Sequence, residues 1–260
     1  IEYKNFNPFS YSRKLSYKTI KSLTLKELEG YKKKLNNKIK STKYSKIEKK
    51  IIYELTKGKG YIIIKNFYKK KIIDKAEKII NKKLKKHKNY KKAKFTYQVD
   101  KIHKSINFFD LLNSHDIFRQ LIQPKSVMNA FNYLLGQNFI CTYYAAQCSV
   151  SGSRGQSLHL DYPYVSYSKP GDKIPIGMGS KEYLLSCGIL TYLNNSDHKN
   201  FGPIVLNGSQ KFRRFPTVEE VKKNKFTKLK VPRGGMVILN TLMWHAGAPN
   251  YSENKDRHLI

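Results

Sequence analysis

The sequence predicts an α+β domain with a mainly β core, in which helices come first and a sandwich or barrel of strands follows. Three observations lead there. Apolar residues in the first half recur at helical spacing. From residue 138 onward they fall in short runs punctuated by glycine and proline. The length of 260 residues, with 40% hydrophobic content, suffices for one large domain or one domain with an extension.

Each element has its own signal. "TLKELEGYKKKLNNKIK" places Glu27 three residues after Thr24, the spacing of a capping box at a helix start. "YSKIEKKIIYELTK" repeats Ile47, Ile51 and Leu55 every four residues, and Gly58 and Gly60 end that helix. "GYIIIKNFY" is a short apolar run after glycine, expected as a strand. Next, "KKKIIDKAEKIINKKLKKH" sets Ile72, Ile73, Ala76, Ile79, Ile80 and Leu84 on one helical stripe. Further helix is expected in 114–135, interrupted near Pro124. Strands are then expected in "NFICTYYAAQCSV", "YLLSCGILTYLN", "GPIVLN", "KLKVP", "GMVILN" and around His245, with "TVEEVKKN" a short helix between two of them. Residues 1–57 are expected to be a Lys-rich helical N-terminal extension, and 58–260 the main domain. The chain starts at Ile1 and stops at Ile260, and both ends are expected to be truncated.

The formal net charge is +33, which invites a nucleic-acid reading. Two facts weigh against it. Lys outnumbers Arg 44 to 7, whereas base and phosphate recognition uses guanidinium forks as well. Lys, Ile, Asn and Tyr, all with A/T-rich codons, make up 107 of 260 residues, so an A/T-rich genome would produce this skew without selection for a partner, and a functional basic surface is the less favoured alternative. The charge is also uneven. Residues 1–104 hold 33 basic and 8 acidic residues, while 105–260 hold 18 and 10. Nucleic acid is therefore not the expected partner. No apolar run approaches the length of a membrane span. Cys141, Cys148 and Cys187 lack the even number and spacing of a disulfide framework. They are expected to be buried free thiols in a reducing cytoplasm.

The chemistry concentrates in "SLHLDYPY". His159 and Asp161 sit two apart, so on a strand their side chains share a face. With 7 His and 18 acidic residues in the chain, such a pair arises roughly half a time by chance. It needs a third ligand. His245 supplies one, after an apolar strand and before a Gly-Ala-Pro-Asn turn. Two histidines and one carboxylate can cover one face of an octahedral ion and leave three positions open. Twelve residues further on, Arg257 could pair with a carboxylate of a bound 2-oxoacid. Singly, each residue has a plainer role: His245 as a core histidine beside Trp244, Asp161 as a turn cap before Pro163, Arg257 as a surface cation. Their order and setting together favour the metal site. His87, His103, His115, His198 and His258 lack such a setting and read as surface or structural. His258 faces away from Arg257 if both lie on a strand.

These stretches resemble the phytanoyl-CoA dioxygenase family of Fe(II)/2-oxoglutarate-dependent oxygenases. The resemblance covers about residues 58–260. "GYIIIKNFYKKKIIDKAEKI" is similar to the family's opening strand and helix, and "HLD" to its His-x-Asp motif. "GPIVLNGSQK" resembles its later strand and turn, with Asn207 for the usual Pro and Gln210 for the usual His. "WHAGAPNYSENKDR" resembles its distal His segment, about one residue longer than the common pattern, so that Asp256 stands where the Arg would otherwise be.

The resemblance implies a double-stranded β-helix, the jelly-roll or cupin-like fold, with Fe(II) on His159, Asp161 and His245. It implies 2-oxoglutarate held by Arg257, O2 as co-oxidant and ascorbate as a candidate reductant. The reaction implied is hydroxylation of a small organic substrate with release of succinate and CO2. Halogenases of this type lack the carboxylate, so Asp161 favours hydroxylation. Gln147 lies where the family often has an amide reaching 2-oxoglutarate, and Thr191 could donate to a carboxylate; ordinary cross-strand packing accounts for both equally well. The loop 162–183, with Lys169, Lys173 and Lys181, could line the entrance or be solvated surface. The competing reading is a non-catalytic jelly-roll binding protein whose basic extension grips nucleic acid or another anion. A nucleic-acid demethylase of the same chemistry fits less well, because its second Arg and Asn-Thr pattern is missing after His245.

Overall fold

A computed structural model of the chain describes residues 44–86, 97–100, 104–161, 184–196 and 199–260. The expected helix at 24–40, the loop 162–183 and His87, His103 and His198 lie outside the described residues. Residues 50–260 form one compact unit. The first described helix is α1 (Lys46–Thr56). Leu55 of that helix is fully buried, and its carbonyl accepts a hydrogen bond from Asn240 Nδ2 at 3.1 Å.

The chain continues through β1 (Tyr61–Ile64) and α2 (Lys70–Lys86), then a hairpin of β2 (Tyr97–Asp100) and β3 (Ser105–Phe108). Helices α3 (Leu111–Ser114), α4 (Asp116–Ile122) and α5 (Lys125–Leu135) follow, with Pro124 at the start of α5 as its missing N–H allows. The strands β4 (Ala146–Ser149), β5 (Cys187–Thr191) and β6 (Ile204–Val205) come next. After them come α6 (Val218–Lys223), β7 (Thr227–Lys228), β8 (Met236–Asn240), β9 (His245–Ala246) and β10 (Arg257–Leu259). A capping box between Thr217 and Glu220 starts α6.

The strands make antiparallel sheets in the orders β1-β8-β5, β10-β4-β3-β2 and β7-β6-β9. The first two join where Thr191 and Ile260 exchange backbone bonds of 2.6 and 2.9 Å and Tyr192 pairs with Leu259. One core cluster takes Tyr61, Tyr192, Val237, Leu239 and Leu259 from this long layer and Val205 and Leu229 from the short one, so the layers face each other across it. A second cluster packs Ile73, Ala76 and Ile80 of α2 and Phe118 and Leu121 of α4 against Ile106, Phe108, Ala146 and Cys148. Strand alternation does the rest. With Ile106, Phe108, Ala146 and Cys148 turned to the helices, Ser105, Asn107, Gln147 and Ser149 turn to the interior. Cross-strand register adds Arg257 and Leu259 to that inner face.

Some expectations shift. The strands are shorter than the apolar runs, and 138–145 is irregular, with Ile140 78% exposed. The β2–β3 hairpin and α3 were not expected. Cys148 is buried, and burial pushes its thiol pKa up, but Cys141 is exposed and Cys187 half-buried. The irregular path of 138–145 leaves Cys141 without a covering layer. No described helix is long and apolar enough to cross a membrane.

Candidate metal centre

Two segments running side by side build the centre. His159 and His245 face each other as an antiparallel bridge, each N–H donating to the other's carbonyl at 2.8 and 3.0 Å. Asp161 N–H then donates to the Thr241 carbonyl at 3.0 Å. The approach of the two segments needs glycine at Gly155, whose φ is +78° and where a Cβ would lie 2.4 Å from the Gly247 carbonyl oxygen. Alternation turns Leu160 the other way, into a cluster with Leu242 and Trp244. Trp244 is fully buried, donating from Nε1 to the Arg214 carbonyl at 2.6 Å and from its backbone to Ser209 Oγ at 2.8 Å. The "NGSQ" turn thus braces the strand that carries His245.

The side chains of His159, Asp161 and His245 offer three ligand atoms within 4.8 Å of one another. His159 Nε2 is 3.5 Å from Asp161 Oδ1, and His245 Nε2 is 3.4 Å from Asp161 Oδ2. The other nitrogen of each ring is occupied. His159 Nδ1 lies 2.7 Å from the Ser157 carbonyl and His245 Nδ1 2.9 Å from the Met243 carbonyl. A carbonyl only accepts, so each Nδ1 carries the proton, and in the neutral ring the Nε2 lone pair points toward the carboxylate. Such a donor set, two imidazoles and one carboxylate, fits a divalent first-row metal. Burial acts to raise the Asp161 pKa; where the ring Nε2 atoms also carry protons, their hydrogen bonds from His159 and His245 outweigh burial and hold the carboxyl well below the usual carboxylate range. For His159 burial acts to lower the pKa, and the contacts with Asp161 and the Ser157 carbonyl turn the net shift upward.

Arg257 sits on the inner face beside Ser149 and is only 4% exposed. Its Nη1 donates to Asn200 Oδ1 at 3.2 Å and the Phe201 carbonyl at 2.6 Å; its Nη2 donates to Ser149 Oγ at 3.2 Å and the Ala248 carbonyl at 2.7 Å. All four acceptors are neutral, and among the described residues the guanidinium has no carboxylate partner. Burial lowers its pKa, against a smaller upward effect of Tyr192. A buried cation without a counter-charge is complementary to an anionic ligand, which would replace some of these neutral acceptors. Asp256 points elsewhere: its Oδ1 accepts from Ser151 N–H at 3.0 Å. The longer spacing therefore leaves Arg257, not its neighbour, facing inward.

Gln147 shares the inner face with Arg257, one alternation along β4. Thr191 is not brought to this face. It is followed by the inward Tyr192, and its hydroxyl hydrogen-bonds Tyr68, whose own hydroxyl donates to the Leu121 carbonyl at 2.7 Å beneath the helices. Strand parity, one residue off, is the reason. Asn107, Ser149, Asn200 and Asn250 are the inner or supporting residues not anticipated. The alternation of "SINF", polar and apolar in turn, is the signal that marks Asn107.

A jelly roll with two histidines and a carboxylate converging inside it defines a metal-site oxygenase scaffold. Residues 57–259 match the family model "Phytanoyl-CoA dioxygenase (PhyH)", and the chain belongs to that family. Among solved structures it is similar to HygX from Streptomyces hygroscopicus with nickel and 2-oxoglutarate bound. The identity is 13%, the TM-score 0.59, and the match covers 84% of this chain and 85% of that one. HygX with nickel, 2-oxoglutarate and hygromycin B bound matches at 12% identity and TM-score 0.59, over 83% and 84% of the two chains. EvdMO1 matches at 13% and 0.59, over 82% of this chain and 48% of that one. At these identities the likeness shows the fold. No curated protein sequence matches.

Proposed function

We propose that this chain is an Fe(II)- and 2-oxoglutarate-dependent dioxygenase that hydroxylates a small organic substrate, releasing succinate and CO2. The observation that carries the proposal is the pair of imidazoles tethered at Nδ1 by backbone carbonyls, with both Nε2 atoms turned to one carboxylate. HygX, similar in fold, is solved with iron bound and with nickel and 2-oxoglutarate bound, which supports the choice of metal and cosubstrate.

The residues divide the work. His159, Asp161 and His245 would hold the ion. Arg257 receives the far carboxylate of 2-oxoglutarate, and Gln147 lies along the same wall. Buried apolar neighbours such as Tyr192, Val205 and Leu259 exclude bulk water from that wall. When bound, the iron and cosubstrate supply the oxidation; the chain supplies placement. Asp161 occupies the position a halide would need, which favours hydroxylation.

The test is a substrate screen with iron-loaded protein and ascorbate, following succinate and the mass gain of one oxygen atom. Coupled succinate release and oxygen gain support hydroxylation. Chlorination, or oxidation that proceeds equally without 2-oxoglutarate, overturns it.

A further inference from the structure

One apolar cluster backs both segments that carry the metal ligands. Leu158 and Leu160 flank His159, and Leu242 and Trp244 precede His245; they pack together, with Leu206 and Phe215 against them. Each imidazole is tied at Nδ1 to a carbonyl two residues back in its own segment. The ring therefore goes where its segment goes, and the spacing of the ligand atoms depends on how the two segments sit against each other. A metal site tolerates misplacement of roughly 0.5 Å. Whatever holds Trp244 thus bears on its neighbour His245.

Residues 206–214 wrap Trp244. Its backbone carbonyl accepts from Leu206 N–H at 3.0 Å, and the Phe212 ring lies against its own with centroids 4.9 Å apart. Its two N–H groups go to Ser209 Oγ and the Arg214 carbonyl. The Arg214 guanidinium then caps both rings, 5.5 Å from the centroid of Trp244 and 5.6 Å from that of Phe212, within cation–π range. Glu220 holds the guanidinium as a fork, accepting from Nη1 at Oε2 at 2.7 Å and from Nη2 at Oε1 at 2.5 Å. These bonds, with that from Thr217, hold the Glu220 carboxyl down to about 2, so the pair stays charged through neutral pH. The same carboxylate accepts from Thr217 N–H at 2.9 Å and closes the capping box of α6. α6 buries none of its residues, and six residues are too few to hold a helix unaided. Apolar packing does not account for this helix; presenting Glu220 to Arg214 does.

We propose that Arg214, locked by Glu220, is a positioning residue for the metal site. It clamps Trp244 and so fixes His245 at the spacing from His159 and Asp161 that a metal ion needs. This rests on the oxygenase reading and extends it from the ligands to the residues that place them. Arg214 acts through Trp244 and Phe212, on the far side of the strand from the ligand atoms. Arg233 offers a matched comparison. It makes a similar pair of ion pairs, to Asp74 at 2.8 Å and Glu77 at 2.5 Å, but on α2, whose apolar face belongs to the other core cluster.

Trp244 is the one tryptophan in the chain, so tryptophan fluorescence reports on the residue beside His245 alone. Co(II) is titrated into the full-length wild type, Arg214→Ala, Glu220→Gln and Arg233→Ala, well below the Tm of each. Quenching of Trp244 gives the affinity, and the Co(II) absorption spectrum gives the ligand geometry. Arg214→Ala should weaken Co(II) binding about tenfold, the low end for loss of a residue outside the ligand shell, and change the shape of the absorption bands. Glu220→Gln keeps the capping box but loses the charged fork, and should weaken binding about threefold, as fits a partly exposed ion pair. Arg233→Ala should bind Co(II) as the wild type does. An Arg214→Ala protein that melts lower yet binds Co(II) with wild-type affinity and spectrum overturns the proposal, and so does an equal loss in Arg233→Ala. If Arg214→Ala fails to fold, wild-type affinity in Glu220→Gln overturns it. Absence of Co(II) and Fe(II) binding by the wild type would sink the oxygenase reading itself, and the proposal with it.

Discussion

The metal end and the proposed anchor end of the inner surface are built in different ways. At the metal end, two short segments touch directly: His159 and His245 share a backbone bridge, and Asp161 follows two residues later. The geometry depends on few residues. At the anchor end, Arg257 is held by four acceptors from three separate stretches: Ser149, Asn200 with Phe201, and Ala248. Behind it, fully buried Asn250 donates from Nδ2 to the carbonyls of Ser149 and Lys255 at 3.1 and 2.8 Å. Its Oδ1 accepts from Ser252 N–H at 3.2 Å. The comparison teaches that damage at the metal end removes a function outright, whereas damage at the anchor end spreads through a network.

The largest expected effect is at the metal end. Asp161→Ala and His245→Ala should each lower Fe(II) affinity by more than the roughly 10–100-fold typical of losing an outer-sphere partner. Anaerobic metal titration reads it, and full-strength binding by both variants would break the comparison. Next comes the anchor. Arg257→Ala should weaken 2-oxoglutarate binding about ten- to a hundredfold, the equivalent of ~1.5–3 kcal/mol, while Fe(II) affinity stays near wild type. Equal loss of both ligands would show that the two ends are one unit. Asn250→Ala should act through Arg257, raising the KM for 2-oxoglutarate about three- to tenfold and lowering stability by ~1–3 kcal/mol. A normal KM at reduced stability would make Asn250 purely structural.

The smallest effect concerns the outer face. His258 is 6% exposed, and neither ring nitrogen has a partner among the described residues. Burial lowers its pKa, against smaller upward effects of Asp256 and Glu77. The unfolded chain therefore binds the proton first. Stability should fall as pH drops below about 6.5, by at most ~1.4 kcal/mol per pH unit from this residue. His258→Phe should flatten that limb in denaturant titrations from pH 7 to 5. An unchanged slope would remove His258 from the account.

How much of this was legible in the sequence also differs between the two ends. The His-x-Asp pair and the distal histidine could be read because a strand's period of two and a short turn fix their geometry locally. Arg257 was legible by its place in a familiar segment, although only the contact of Asp256 with Ser151 shows which of the two neighbours turns inward. Thr191 was misplaced because one residue of parity decides which face a strand side chain takes, and the sequence "CGILTYLN" is apolar on both faces. The β2–β3 hairpin escaped notice because it follows a Lys-rich stretch with no period of its own, although "SINF" alternates as a half-buried strand should. The strand boundaries were overdrawn because burial in 138–145 cannot be told from apolar content alone: Ile140 and Tyr143 are exposed.

The central claim is that 2-oxoglutarate binds through the metal held by His159, Asp161 and His245. Anaerobic titration of 2-oxoglutarate into the protein, with and without one equivalent of Fe(II), tests it most directly, with Asp161→Ala as control. The account predicts saturable one-to-one binding only in the iron-loaded wild type. Equal binding with and without iron, or undiminished iron-dependent binding in Asp161→Ala, would contradict it.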